Sequence, residues 1–169
     1  MATQLEPSSA LNRLDSLVTG IEKGDSLYKA DLRYGVMIAD IGFLIAQNTA
    51  SEILEDIEVY PLPNSAQCMA GLINLRGNVI PVFDLNLVLK AALSPTHKRL
   101  LLVLGEAEHA VGFYIEQLPQ AINKTVVLTQ HPPIPLVVER FVHTAYLAEE
   151  NIWLDFDYVA LFKALAAGE

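Results

Sequence analysis

Fifteen residues, Gly71 to Leu85, constrain the fold of this chain more than any other stretch. Two apolar runs of strand character, Leu72 to Leu75 and Val79 to Phe83, stand on either side of a polar hinge. Asn74, Arg76, Gly77 and Asn78 make up that hinge. Glycine accepts a positive φ without steric cost and asparagine tolerates it, so a Gly-Asn pair between two such runs predicts a tight hairpin turn. Pro81 lies inside the second run and has no N–H to give to a ladder, which predicts an edge or a bulge at that point. Arg76 is the one full charge in a stretch otherwise fit for burial. It must reach solvent, pair with a carboxylate or meet a partner. An ion pair to a local acid and a partner contact are both consistent with its chemistry.

The remaining sequence reads as more short strands. Tyr34, Val36, Ile38 and Ile41, with Gly42-Phe43-Leu44-Ile45, predict two strands with a turn marked by Asp40 and Gly42. Gln47 to Ile53 reads as a turn or helical step, and Pro61-Leu62-Pro63-Asn64 as an extended connector. Ala66 to Ala70 reads as one helical turn. Asp84 is placed to N-cap a short helix over Leu85 to Leu89, and Ser94-Pro95-Thr96 closes the first half. The second half restates the first. Strands over Arg99 to Leu104 and Ala110 to Ile115 flank a turn at Gly105-Glu106-Ala107-Glu108, and Gly112-Phe113-Tyr114-Ile115 echoes residues 42–45. Pro132-Pro133-Ile134-Pro135 is a second stiff connector. A hairpin over Val142 to Leu147 and Ile152 to Phe156 follows, and then a helix carrying Tyr158, Leu161, Phe162 and Leu165, with Asp155 and Asp157 as its caps. Frequent turns between short strands indicate barrels or a sandwich. Strands apolar on both faces fit a small closed barrel whose outer face packs on a sister lobe.

Residues 1–32 differ in character and read as a leader. Ser8 or Ser9 is suited to cap a helix with Leu11, Leu14, Leu17, Val18 and Ile21 on one side, either packed on the domain or docking a partner. The domain proper spans 33–169.

With 52% hydrophobic and only 18% charged residues, the chain has ample material for a core and is unlike a disordered sequence. A net charge of −9 with no basic patch argues against nucleic acid and anionic membrane surfaces. The lone Cys68 excludes an internal disulfide, and no basic n-region or apolar run of membrane length is present. These features predict a cytoplasmic protein without direct membrane insertion. Phosphate-binding glycine loops and the Gly-x-Ser-x-Gly elbow are missing. His97, His109, His131 and His143 lack the local spacing of a metal site. Glu55, Asp56 and Glu58 read as a solvated face. An enzyme would need a His/Asp site assembled from distant residues.

The run Asn74-Leu75-Arg76-Gly77 followed by Val79-Ile80-Pro81-Val82-Phe83-Asp84-Leu85 closely resembles the signature of CheW-like domains. Gly71-Leu72, Gly42-Phe43-Leu44-Ile45, Ser51-Glu52-Ile53 and Val111-Gly112-Phe113-Tyr114-Ile115 with Leu118 extend the similarity in the right order. The resemblance implies a mostly β fold of two packed five-stranded SH3-like β-barrel subdomains, with short helices and a C-terminal helix. It implies a non-catalytic adapter with no cofactor and no metal, coupling methyl-accepting chemoreceptors to a CheA-type histidine kinase. The partners it implies are the kinase's regulatory domain and the receptor tip, within chemoreceptor arrays that the chain reaches through those partners. Adapters of twitching-motility (type IV pilus) systems share the pattern and remain an alternative. Carried over by motif, Arg76 is the polar partner contact, Asn74 and Gly77 shape its turn, and Glu52, Gly112 and Leu118 lie near the receptor groove.

Overall fold

A computed structural model describes residues 28–29, 32–92, 98–123, 125–130 and 132–168. The leader helix expected over 8–21, the Ser94-Pro95-Thr96 segment, His97 and His131 lie outside the described residues. Twelve strands form two sheets among the described residues. One sheet contains β1 (Tyr28–Lys29), β2 (Arg33–Ile38), β3 (Ile41–Ile45), β9 (Gln120–Ile122), β10 (Thr125–Val127), β11 (Val142–Ala148) and β12 (Asn151–Phe156), in the order β1-β10-β11-β12-β3-β2-β9. The other contains β4 (Ser51–Leu54), β5 (Met69–Leu75), β6 (Asn78–Phe83), β7 (Leu100–Leu104) and β8 (Val111–Ile115), in the order β4-β7-β8-β6-β5. The helices are α1 (Leu85–Val88), α2 (Leu136–Glu139) and α3 (Tyr158–Ala167).

Chain length forces both sheets to curl. β9 and β10 lie five strand spacings apart in the first sheet, which is about 24 Å if the sheet is flat. The step from Ile122 to Thr125 reaches at most about 11 Å. The sheet therefore bends until its edges nearly meet. In the second sheet Leu54 ends one edge strand, and Tyr60 pairs with Leu72 beyond the opposite edge, only six residues later. Six residues reach about 20 Å against a flat width of about 24 Å, so this sheet bends too, and side-chain hydrogen bonds from Arg76, after β5, to Glu52 on β4 bring its edges together.

The two barrels are versions of one unit. Order and strand direction in β11-β12-β3-β2-β9 match β5-β6-β8-β7-β4: antiparallel, parallel, antiparallel, antiparallel. The chain enters the first barrel through β2 and β3, builds the whole second barrel, and then returns. The halves are thus nested, not consecutive. Gly42 and Gly112 superimpose in register, each opposite a residue on the parallel strand: Trp153 for Gly42, Val82 for Gly112. The same register equates Arg33 with Arg99 and Asp155 with Asp84. Each pair forms an ion bridge, Arg33 to Asp155 at 3.0 Å and Arg99 to Asp84 at 2.6 Å. Each guanidinium also lies over a tyrosine ring, Tyr146 and Tyr114 respectively. These half-buried, charge-assisted contacts tie strand ends that hydrogen bonds of the ladder do not reach. Asp155 is therefore a clasp residue and not a helix cap, as its sequence position had allowed.

Three apolar clusters explain the strands that are hydrophobic on both faces. Leu44, Ile122, Tyr146 and Trp153 fill the first barrel, and Ile73, Ile80, Val82, Leu101 and Val103 fill the second. Alternate residues of the same strands, including Val36, Phe43, Leu102, Phe113 and Leu154, meet between the barrels. The period-2 alternation sends one face inward and the other to the sister barrel. Helix α3 roofs this junction. The Asp157 side chain accepts from the Ala160 N–H at 2.9 Å as N-cap, and Gly168 ends the helix at φ 78°. Phe162 lies on Phe113 and Phe83 with ring centroids 5.3 and 5.0 Å apart. Its burial contributes about 2 kcal/mol.

Several local expectations change. Residues 51–53, read as part of a turn or helical step over Gln47 to Ile53, belong to β4, because pairing with β7 outweighs the weak strand propensity of Ser-Glu. Gly42 is not a turn residue; the turn is at Ala39-Asp40, and Gly42 sits under the Trp153 ring. Of Ala66 to Ala70, read as one helical turn, only the first residues turn, closed by the Met69 N–H on the Ala66 carbonyl; Met69 and Ala70 already belong to β5. Pro81 precedes the point where β6 starts to pair with β8, at Val82, so β6 is locally an edge there.

Candidate partner-binding site at the Arg76 turn

Leu75 pairs with Asn78, so Arg76 and Gly77 alone make the hairpin turn, with φ of 52° and 86°. Two successive positive φ values define the primed turn that matches strand twist. Nothing lies within 4 Å of where a Gly77 Cβ would be, so glycine is there for its backbone and not for space. The Asn74 side-chain oxygen accepts from the Gly77 N–H at 3.0 Å and fixes the turn from within.

The Arg76 side chain reaches across the seam of the second barrel to Glu52 on β4. Its two terminal nitrogens donate to the two carboxylate oxygens at 2.8 and 2.7 Å. This fork-to-fork geometry joins the opposite edges of the sheet. The hydrogen bonds it donates to Glu52, followed by that carboxylate's charge, push the Arg76 pKa further above a value that already keeps the guanidinium charged at any working pH. With 73% of its side chain exposed, Arg76 is fixed in direction yet open to solvent. The acid it pairs with is distant in sequence. Asp84, a nearer acid, is taken by Arg99.

Glu52 and Arg76 border a cavity of about 200 Å³ floored by Leu75, Ile80, Val103 and Ala110. Ser51 connects it to a second groove of about 400 Å³ lined by Leu32, Tyr34, Ile45, Thr49 and Pro119. Tyr34 and Leu32 are half exposed, and Leu118, beside Pro119, is 63% exposed. Extending the β2–β9 register from Gly35↔Gln120 carries Met37 to Leu118, the position equivalent to Glu52 in the other barrel. Of the six residues anticipated from sequence, Asn74, Arg76, Gly77 and Glu52 come together, and Leu118 flanks the adjoining groove. Gly112 does not face solvent. It is buried in β8, where an added Cβ would make ordinary contact, 3.4 Å from Leu101 and Val82. Tyr34, Ile45 and Leu32 were not anticipated. Tyr34 was read only as a strand residue, although an exposed aromatic at a strand start is the kind of signal that marks a surface.

The chemistry of the other reactive groups is unremarkable. Among the described residues, no three His, Cys, Asp or Glu side chains are grouped as a metal site. His109 and His143 are both exposed, in different parts of the fold. Burial first, with the Asp84 charge adding to it, pushes the Cys68 thiol above its ordinary pKa. Because the folded pKa is raised, the thiolate fraction at pH 8 is smaller in the folded chain than in the unfolded one. Cys68 is expected to react with Ellman's reagent at pH 8 at least about 10-fold more slowly without urea than in 8 M urea. Equal rates would show an open, ordinary thiol.

Residues 34–166 match the CheW-like domain family model. Over 122 residues the chain is 27% identical to "Protein PilI" of Pseudomonas aeruginosa, covering 70% of this chain and 68% of that protein. It is 33% identical over 103 residues to "Chemotaxis protein CheW" of Helicobacter pylori, covering 60% of this chain and 61% of that protein. The crystal structure of the scaffolding protein TtCheW from Thermoanaerobacter tengcongensis shares the fold, with a TM-score of 0.66 at 16% identity over 83% of this chain and 97% of that one. The family is one of non-catalytic scaffolds in chemosensory signalling, and this chain belongs to it.

Proposed function

We propose that this protein couples methyl-accepting chemoreceptors to the regulatory domain of a CheA-type histidine kinase, acting in the cytoplasm at receptor arrays. The observation that carries this reading is the Arg76–Glu52 fork. It holds a permanent charge outward at the mouth of a small cavity that adjoins the Tyr34 groove through Ser51, and the described side chains around it offer no reaction for it to assist. An oriented arginine, with the exposed Tyr34, Leu32 and Leu118 at the adjoining groove, is the composition of an interface hot spot. The groove along Tyr34, Ile45 and Pro119 suits one face of a helical hairpin, the helix-in-groove mode of recognition. Small contacts of this kind favour reversible assembly.

Both a flagellar and a pilus-type adapter are compatible with these surfaces, and the similarity to Protein PilI supports the twitching-motility branch as the alternative. Affinity purification of the tagged full chain from its source cells tests the class. Recovery of a histidine kinase together with coiled-coil receptors is expected, and which motility is lost on deletion separates the branches. Recovery of neither component at native expression would sink the adapter reading.

A further inference from the structure

The internal repeat leaves one strand of the first barrel without a counterpart in the second. Matching the two hairpin turns, Ala148 opposite Asn151 with Leu75 opposite Asn78, equates Ala145 with Leu72. The Leu128 N–H donates to the Ala145 carbonyl at 2.8 Å, and the Tyr60 N–H donates to the Leu72 carbonyl at 2.8 Å. Residues 57–59 are therefore the counterpart of β10, residues 125–127. In the first barrel the far edge of β10 carries β1, with Tyr28 opposite Val126 and Lys29 opposite Thr125. Among the described residues, no strand pairs with the far edge of 57–59.

That edge is already shaped as a strand. Ile57 and Val59 pack half-buried on the core of the second barrel while Glu58 and Tyr60 are exposed, the alternation of an extended chain. Tyr60 turns both its N–H and its C=O to Leu72. In an extended chain the main-chain groups of Ile57 and Val59 then point to the opposite side. Among the described residues, no hydrogen bond reaches them. Counting back along the sequence from Arg99, as from its equivalent Arg33, puts Pro95 in the place of Lys29, and proline has no N–H to give to a ladder.

The charge around this edge selects its occupant. Glu55, Asp56 and Glu58 border it, and Lys98 answers two of them, at 3.0 Å from Glu55 and 3.2 Å from Asp56. The Glu58 carboxylate accepts from the neutral Tyr60 hydroxyl at 2.8 Å and keeps its charge uncompensated there. We propose that residues 57–59 receive an extended, lysine-bearing segment of a partner protein as an added antiparallel strand. Its main chain pairs with Ile57 and Val59, as β1 pairs with β10, and its ammonium groups meet the bordering carboxylates. The contact is separate from the Arg76 turn and the Tyr34 groove.

Nitrogen-15 NMR of the full chain tests this, with a short synthetic peptide of alternating lysine and valine as the probe. The amide signals of Ile57 and Val59 are expected to shift, and their hydrogen exchange to slow at least about 10-fold as the edge fills. A peptide with glutamate in place of lysine is expected not to bind. Glu58→Lys is expected to weaken the lysine peptide at least about 10-fold. Val59→Pro, which removes an outward N–H, is expected to abolish its binding, and β7 and β8 are expected to keep their protection in both variants. No shift at Ile57 and Val59 with the peptide at about 1 mM overturns the proposal and leaves the acids as guards against edge pairing. Shifts centred on the Arg76 turn or the Tyr34 groove, equal binding of the glutamate peptide, or affinity unchanged by Glu58→Lys overturn it too. Receptor and kinase take no part in these measurements, so the adapter reading stands or falls separately.

Discussion

Arg76→Glu is expected to weaken binding of the kinase regulatory domain by at least about 30-fold, the scale of a hot-spot residue, while the protein stays folded. The fold is expected to survive because the Arg76–Glu52 pair is solvent-exposed, where ion pairs contribute little to stability. Repulsion between the new carboxylate and Glu52 is expected to lower the Tm by no more than about 4 °C. Circular dichroism and isothermal titration calorimetry on the same samples separate the two effects. The double exchange Arg76→Glu with Glu52→Arg restores an ion pair across the seam with its polarity reversed. Binding is expected to stay weak in this variant, because the charge presented at the turn has the wrong sign for the partner. Recovery of binding would mean that the pair acts only by holding the turn. A collapsed spectrum for Arg76→Glu would make the arginine structural and remove it from the interface.

The second large effect concerns a pair of glycines that look alike in sequence. Gly42 and Gly112 open the same Gly-Phe-x-Ile motif and occupy equivalent places in the two barrels. A Cβ on Gly42 would sit 2.2 Å from the Trp153 ring, which fills the first barrel and has nowhere to go. Gly42→Ala is therefore expected to cost about 3 kcal/mol or more, lowering the Tm by roughly 6–12 °C. At Gly112 the opposing side chain is Val82 and the same Cβ makes ordinary contact at 3.4 Å. Gly112→Ala is expected to stay within about 1 kcal/mol of the parent, since alanine also recovers some strand propensity. Combining Gly42→Ala with Trp153→Leu is expected to cost less than the sum of the two single changes. Additive costs, or equal damage from the two glycine substitutions, would show that the ring does not set the requirement.

The groove around Tyr34 was harder to read in the sequence than the turn at Arg76, for a physical reason. The turn is local: Asn74, Arg76 and Gly77 are within four residues, and their backbone demands are written in residue type. The groove draws on Leu32, Ile45, Ser51 and Pro119, which meet only because the first barrel opens with β2 and β3 and closes with β9 to β12. The Glu52 partner of Arg76 belongs to this second kind. Twenty-four residues separate the two, and only closure of β4 toward the β5–β6 hairpin brings them to 2.7 Å.

By itself the sequence determined most of the units: the runs of β2, β3, β5 to β8, β11 and β12 as strands, where glycine and proline punctuate them, that the strands are apolar on both faces, and that Arg76 stands at a tight turn, while β1, β4, β9 and β10 were not legible. Those features depend on contacts between near neighbours along the chain. Tertiary structure alone decided how the units were shared between barrels. It nested one barrel within the other, turned Asp84 and Asp155 into equivalent partners for Arg99 and Arg33, and buried Gly112 while leaving Leu118 outside. Strand pairing has no fixed span in sequence, so the residue opposite a given one is set by closure and register and not by its neighbours in the chain.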